Sequence, residues 1–236
     1  MITNKKKMSM GLLLMLSFLV VLILIFMPIF GEGRNGLEYS DDLFNKLAKG
    51  SSYFIPKVQA EIKAVSGKQV TVGVKFKNPD MAKTATVLLA KVGATGEVKG
   101  DVYEVNGDLG KMLTQVVADS DLMYKDDGKP VAEFYGMDEK KAMKGWHTLL
   151  GAMIQPLQRQ KQIEEANIIN TVTQKAIEPA YNFYGITAEH ISTKIPTVTA
   201  LLMFYVIYTL WYGFAIFDLF NGVGLSMTKS KIKKEV

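Results

Sequence analysis

The residues best suited to acid–base or metal chemistry are few in this sequence and lie far apart. Neither histidine, His147 or His190, belongs to an H-x-x-x-H pair or to a histidine–carboxylate cluster with metal-ligand spacing. Both are therefore interpreted as structural or surface residues. The chain has no cysteine, which excludes disulfides, thiolate zinc sites and cysteine-bound iron–sulfur clusters. We predict no metal site and no cofactor.

Motifs for nucleotide binding and hydrolysis give no better candidate. GEGRNG, residues 31–36, matches G-x-G-x-x-G, but it follows an apolar run rather than a strand and is interpreted as a flexible linker. The sequence contains no G-x-S-x-G, H-E-x-x-H or Walker A motif. Asp119, Asp121, Asp126 and Asp127 lie beside turns, where carboxylates usually cap helices or remain solvated. We predict no catalytic residue.

Two long uncharged runs dominate the sequence instead. Residues 8–31 and 195–217 contain no charged side chain, and each run is long enough to cross a hydrocarbon core of about 30 Å as a helix. We predict transmembrane helices over 8–30 and 195–220. The first is interpreted as an uncleaved anchor, because its apolar part exceeds a signal-peptide core and no A-x-A-like site follows it.

Basic residues flank both runs and predict their orientation. The positive-inside rule places the tails 1–7 and 221–236 in the cytoplasm of a bacterial inner membrane or an archaeal plasma membrane, with residues 31–194 exported. Acidic and basic residues are equal in number over 31–194, so the net charge of +5 lies in the tails and favours anionic phospholipid over nucleic acid. The expected headgroup contacts are Lys5, Lys6, Lys7, Lys229, Lys231, Lys233 and Lys234.

Local patterns between the two runs predict mixed secondary structure. Residues 70–77 alternate apolar and polar side chains, which indicates a strand with one wet face. Periodicity predicts helices over about 80–91 and 108–124, and Ser40 is expected to cap a shorter helix before them. EVKGDVYEV (97–105) and VAEFY (131–135) are predicted as further strands.

The remainder of the exported segment is predicted to be helical. Apolar spacing on both sides of Pro156 indicates one kinked helix or two consecutive helices leading to the second span. The predicted fold class is an α/β (α+β) extracytoplasmic domain over 31–137 with a long helical stalk over 138–194, flanked by the two transmembrane helices.

The second run carries the most specific pattern. Tyr205, Tyr208, Thr209 and Tyr212 fall within an arc of about 100° on a helix. Hydroxyls in hydrocarbon need hydrogen-bond partners, so this arc is predicted to face another integral membrane subunit. Packing on the first span and placement in an aromatic belt are the alternatives. Asp218 is predicted to be an interfacial acid near the cytoplasmic end of the helix.

These observations lead to three hypotheses of function. The first is a non-catalytic accessory or scaffolding subunit of a larger membrane complex. The second follows from the order span, α/β domain, long helix and span, which resembles that of the polysaccharide co-polymerases; their proline-rich signature is reduced here to Pro196. This resemblance implies a homo-oligomeric membrane scaffold. The third is an enzyme, for which His147 is the best single candidate.

Overall fold

The computed structural model describes residues 2–78 and 80–225, so the tail with Lys229, Lys231, Lys233 and Lys234 lies outside the described residues. The chain divides into two units. We call residues 45–189 the core unit, and residues 1–44 together with 190–236 the span unit. The fold is mostly helical, at 70%, with one small sheet, so the predicted α/β class is refined to a helix-rich α+β fold.

Two long apolar helices dominate the span unit, α1 (Lys5–Phe26) and α10 (Ile191–Gly222). Both are long and apolar enough to cross a membrane, and only 6% of the most apolar stretch of each is buried. A core helix of a soluble protein would be mostly buried, so the low burial favours membrane spans. α1 ends before the predicted residue 30, because Met27 precedes Pro28 and is extended.

Glycines bring the backbones of α1 and α10 into contact. A Cβ atom on Gly11 would lie 2.7 Å from the backbone nitrogen of Leu219, and a Cβ on Gly222 would lie 2.8 Å from Met8 Cα. Neither position has room for a side chain. The two helices therefore pack through small residues, as is typical of helix pairs in membranes.

The next helix, α2 (Gly36–Ser51), begins earlier than predicted, and Ser40 is not its cap. The Ser40 hydroxyl lies inside the helix and donates to a carbonyl one turn earlier at 2.8 Å. Asn35 Oδ1 instead accepts from the backbone N–H groups of Leu37 and Glu38, both at 2.9 Å, while Glu38 Oε2 accepts from the Asn35 N–H. This reciprocal capping box satisfies the backbone N–H groups at the start of α2. Ser40 lies too far along the helix to reach them.

The core unit combines one sheet with short and medium helices. Its elements after α2 are α3 (Ile55–Glu61), a 3₁₀ turn (Ile62–Val65), β1 (Gln69–Val74), α4 (Asp80–Lys91), β2 (Thr95–Lys99), β3 (Val102–Asp108), α5 (Leu109–Tyr124), α6 (Lys129–Tyr135), α7 (Glu139–Arg159), α8 (Ile163–Val172), a π turn (Thr173–Ile177) and α9 (Glu178–Asn182). The predicted helices over 80–91 and 108–124 are confirmed.

The sheet is antiparallel throughout, in the order β1-β3-β2. The predicted alternation of β1 is confirmed, since Val70, Val72 and Val74 are buried between exposed residues. The segment 97–105, predicted as one strand, contributes to two, because Gly100 adopts a positive φ of 63° and turns the chain into a hairpin.

The predicted strand over 131–135 is wrong, because these residues belong to helix α6. Pro130 occupies the first turn of this helix, where its missing N–H costs nothing. Gly136 ends the helix in the left-handed conformation and donates its N–H to Ala132 O at 2.9 Å. A helix also buries Val131 and Tyr135, which are four residues apart, on one face.

Helices α7, α8 and α9 belong to the core of this unit rather than to a separate stalk. Trp146 and Leu150 from α7 and Ile169 from α8 are fully buried in the same hydrophobic cluster as the strand residue Val72. Two consecutive helices are present, and the chain reverses between them at Lys161, which has a φ of 63°. Their apolar faces are therefore buried on the sheet and on each other.

The glycine contacts of the span unit give a direct test. Replacing Gly11 with Val should force α1 and α10 apart and lower the free energy of unfolding by about 1–3 kcal/mol. The matched control is Gly213→Val, because a Cβ at Gly213 meets nothing within 4 Å. Thermal unfolding in mild detergent, followed by circular dichroism, measures both; equal effects would contradict the packing described here.

Candidate functional site

The structure divides the predicted tyrosine arc of α10 between two faces. The ring of Tyr208 stacks on Phe18 of α1, with centroids 4.3 Å apart and planes at 17°, and Tyr212 lies 5.1 Å from the same ring. The Tyr208 hydroxyl is directed at Phe18 O, 3.5 Å away. For these two tyrosines, packing on the first span is therefore the arrangement found. The sequence analysis gave packing on the first span as an alternative for the arc but did not identify Phe18 as the residue that provides it.

The other two residues of the arc, Tyr205 and Thr209, form no ring contact and no side-chain hydrogen bond with α1 among the described residues. The Thr209 hydroxyl donates to the Tyr205 carbonyl at 2.7 Å, so the helix itself satisfies it. The Tyr205 side chain is 67% exposed. Gly213, one further turn along the same face, has open space where a Cβ would be. Among the described residues, nothing covers this surface, which we call the Tyr205 face (Tyr205, Thr209 and Gly213).

A large apolar groove adjoins the Tyr205 face within the span unit. It encloses about 1090 Å³ and is lined by residues of α1, α10 and the beginning of α2. Tyr205 contributes to its wall, as do the exposed side chains of Leu37, Phe44 and Leu202. The apolar lining suits hydrocarbon or another helix rather than a polar substrate.

The predicted interfacial acid has a partner in this chain. Lys7 Nζ donates to Asp218 Oδ1 at 2.8 Å, and the Asp218 side chain is only 11% exposed. The Lys7 side chain forms this ion pair and is 47% exposed, while Lys5 and Lys6 are exposed. Contact of these three lysines with lipid headgroups stays a prediction. The sequence signal for this ion pair was a single acid near the end of the second apolar run and a lysine directly before the first apolar run.

A buried carboxylate in the core unit is the strongest candidate for chemistry there. Asp119 Oδ2 accepts from the Tyr135 hydroxyl at 2.5 Å, Asp119 Oδ1 accepts from Gln115 at 2.8 Å, and Trp146 Nε1 donates to the Tyr135 oxygen at 3.0 Å. Burial raises the pKa of Asp119, against the opposing effect of these donors. Burial and the adjacent carboxylate also raise the pKa of Tyr135.

This network has the properties of a structural element rather than an active site. Asp119 is 2% exposed, and the Tyr135 and Gln115 side chains satisfy both of its oxygens. Neither Asp119 nor Tyr135 lines any of the four cavities described for residues 2–78 and 80–225. The network joins α5, α6 and α7 and fixes their register.

A second polar cluster ties the ends of the core unit together. Lys49, only 3% exposed, donates to both oxygens of Asp126 at 2.9 and 2.8 Å, and the Gly185 N–H donates to Asp126 Oδ1 at 2.6 Å. The Glu189 N–H donates to Lys46 O at 3.0 Å. We call these contacts the terminal clasp, because they hold the first and last residues of the unit side by side.

The histidines do not form a metal centre. His147 Nε2 lies 3.3 Å from Glu178 Oε1 at the edge of a cleft of about 320 Å³, and both side chains are nearly half exposed. His190 is the N-cap residue of α10 and offers no side-chain cap. Across residues 2–78 and 80–225 there is no group of three or more histidines, cysteines or acids that could hold a metal ion.

Comparison of the chain with protein-family models, with curated proteins and with solved structures found no match. The class of protein is therefore inferred from the sequence and structure of this chain. Two apolar helices suggest a membrane protein, and a helix-rich α+β core unit lies between them in the sequence. The Tyr205 face is exposed in the described part of these helices.

The raised pKa of Asp119 predicts a specific pH dependence. The carboxylate ionises less readily in the folded protein than in the unfolded chain, so its contribution to stability falls as pH rises through the folded-state pKa. Asp119→Asn removes this titration. The unfolding free energy of the variant, relative to that of the native protein, should therefore increase as pH rises from about 4 to about 7.

Urea unfolding followed by Trp146 fluorescence measures this difference, in a Trp211→Phe background that removes the other tryptophan. Asp80→Asn is the control, since the Asp80 side chain is 75% exposed. A difference between Asp119→Asn and the native protein that stays constant with pH would contradict the assignment.

Proposed function

We propose that this chain is a non-catalytic accessory or scaffolding subunit of a larger membrane protein complex. The observation that carries the proposal is the Tyr205 face, a surface of α10 that combines a hydroxyl-bearing aromatic residue with small residues and is uncovered in the described part of the chain. A transmembrane helix of another subunit is the partner that such a surface accommodates.

The free-energy cost of a glycine within a helix supports the assignment of Gly213 to a partner interface. Glycine within a helix costs about 1 kcal/mol relative to alanine. Gly11 and Gly222 are explained by the contact between α1 and α10, whereas Gly213 meets no atom within 4 Å of its Cβ position. In membranes, glycine and threonine at an interface allow helices to approach closely and to gain van der Waals contact.

Tyr205 adds a reason for a protein partner rather than lipid alone. A phenol exposed on a membrane helix gains free energy when its hydroxyl finds a hydrogen-bond partner, and acyl chains offer none. Tyr208 and Tyr212 contact Phe18 within the chain, and Tyr205, at 67% exposed against 46% for Tyr212, is the tyrosine of the arc most available to a second protein. The proposed interface therefore contains only Tyr205 and Thr209 of the four arc residues predicted from the sequence.

The topology proposed for this subunit follows the charges at the helix ends. Lys5, Lys6 and Lys7 lie at the start of α1, so we place both termini in the cytoplasm and the core unit outside it, across a bacterial inner membrane or an archaeal plasma membrane. Exposed Lys5 and Lys6 are then positioned to bind anionic phospholipid.

The homo-oligomeric scaffold remains the alternative, but the structure weakens its basis. The resemblance to polysaccharide co-polymerases relied on a long helix between the domain and the second span. Residues 139–182 instead pack into the core unit, with Trp146 and Ile169 fully buried. A complex that contains only this chain would favour the alternative.

Co-purification tests the partner interface. Gly213→Leu places a side chain in open space, so it should leave the chain intact while displacing a partner helix and reducing the recovered partner at least tenfold. Tyr205→Leu should reduce it less. The matched control is Phe214→Leu, because Phe214 is 61% exposed on a different face of α10.

Partner chains are identified and quantified after affinity purification of the tagged protein from native membranes in mild detergent. Equal partner recovery with native protein and Gly213→Leu would refute the interface. Elution of the native protein without any other chain would refute the accessory role itself.

Single cysteines test the topology, because the native chain contains none. Gln59→Cys, at an exposed position of the core unit, should react with a membrane-impermeant maleimide in intact spheroplasts. Thr3→Cys, exposed before α1, should react only after the membrane is disrupted. The reverse pattern would invert the orientation and would leave the Tyr205 face proposal unaffected.

A further inference from the structure

The two edges of the sheet in the core unit differ in their accessibility. The β1 edge is partly capped, because Gln160 Nε2 donates to the Thr71 carbonyl at 3.2 Å. β2 forms the other edge, and no strand of the described chain pairs with its outer side. Its residues are exposed, apart from the half-buried Gly96. An edge strand of this kind presents unpaired backbone groups to a further strand.

The side chains of β2 divide cleanly between its two faces. Val98 lies opposite the buried Tyr103 of β3 and so belongs to the face of the sheet that the helices cover. The layer of helices ends at the edge strand β2, and Val98 is 70% exposed. Glu97 and Lys99, which alternate with Val98, lie on the wet face.

On that solvent-exposed face, the acidic side chains of β2 and β3 are not fully balanced by lysine within the chain. Glu97 is directly opposite Glu104, a like-charge pair that is unfavourable in an antiparallel ladder. Lys99 Nζ binds Glu104 Oε1 at 2.5 Å and is the cation shared by both carboxylates; its pKa is raised by that bond first and by the charge of Glu97 last. A further cation beside Glu97 would complete the arrangement.

We propose that β2 pairs with β2 of a second copy of this chain, antiparallel and about a two-fold axis through Val98. In this register each Val98 faces its counterpart on the apolar face. Each Glu97 faces Lys99 of the second copy on the wet face. The three-stranded sheets join into one six-stranded antiparallel sheet, in the manner of strand addition at an open edge.

The sequence of β2 is self-complementary only in this arrangement. Opposite charges at two positions equidistant from Val98 attract across a two-fold axis, whereas like charges there would repel. Main-chain hydrogen bonds supply most of the attraction, because a five-residue strand buries little area. We therefore expect a reversible dimer that dissociates on dilution. This inference is independent of the Tyr205 face and of the partner proposed for it.

Cysteine cross-linking tests the register in the full-length protein in its membrane. Facing residues of an antiparallel pair have Cα atoms about 5.5 Å apart at most, within disulfide range, so Val98→Cys should form a disulfide-linked dimer on mild oxidation. Thr95→Cys is the matched control on the same exposed strand, since the register puts Thr95 opposite Asp101 of the second copy. Its cross-linked yield should be at least tenfold lower.

Two outcomes would overturn the proposal. One is equal cross-linking of the two variants, which indicates random collision. The other is a Val98→Cys variant that reacts with maleimide yet forms no dimer. Because both positions are solvent-exposed in the monomer, neither substitution is expected to prevent folding.

Charge exchange provides a second test that separates dimerisation from folding. Glu97→Lys replaces the like-charge contact with Glu104 by an attractive one inside the chain, but it sets a second ammonium group against Lys99 of the second copy. Energy transfer between donor- and acceptor-labelled chains in liposomes should report roughly tenfold weaker association. The double variant Glu97→Lys with Lys99→Glu restores opposite charges and should restore association; failure of this rescue would overturn the register.

Discussion

Hydrocarbon offers no hydrogen bonds to a polypeptide, and the two helices of the span unit that are long and apolar enough to cross a membrane meet that constraint. α1 and α10 satisfy their backbones internally, and two of their hydroxyl side chains are satisfied in the same way: Ser17 donates to Leu14 O at 3.0 Å, as Thr209 does to Tyr205 O. The one acid of α10 is placed where Lys7 can neutralise it. Close glycine contacts then bring the helices together without a hydrophobic driving force. Tyr205 is the most exposed of the three tyrosines of α10, at 67%.

The core unit obeys the opposite rule, since water makes burial of apolar surface favourable. A hydrophobic cluster extends from β1 through α5 and α7 to α9, with Trp146 as its largest fully buried side chain. One carboxylate, Asp119, is buried in it at a cost visible in its raised pKa, and the donors from Tyr135 and Gln115 offset part of that cost. Such a network contributes uniqueness of packing more than stability.

Periodicity predicted the features that depend on long local patterns. The two spans, the alternation of β1 and the helices α4 and α5 extend over many residues, so single exceptions do not obscure them. Short elements were harder, because α6 is delimited by Pro130 and Gly136 and the β2–β3 hairpin turns at Gly100. Packing between distant segments was beyond local patterns: α7 could be identified as a helix but not as part of the core. The same limit concealed the stacking of Phe18 on Tyr208 and the ion pair between Lys7 and Asp218.

The terminal clasp has a consequence for how this chain could arise and be altered. Lys46 and Glu189 are joined by a direct backbone hydrogen bond, so the core unit begins and ends at nearly the same point. A domain with adjacent ends behaves as an insertion into a host chain, here the connection between two helices. The clasp thereby gives the core unit the adjacent ends that insertion of a domain into a host chain requires.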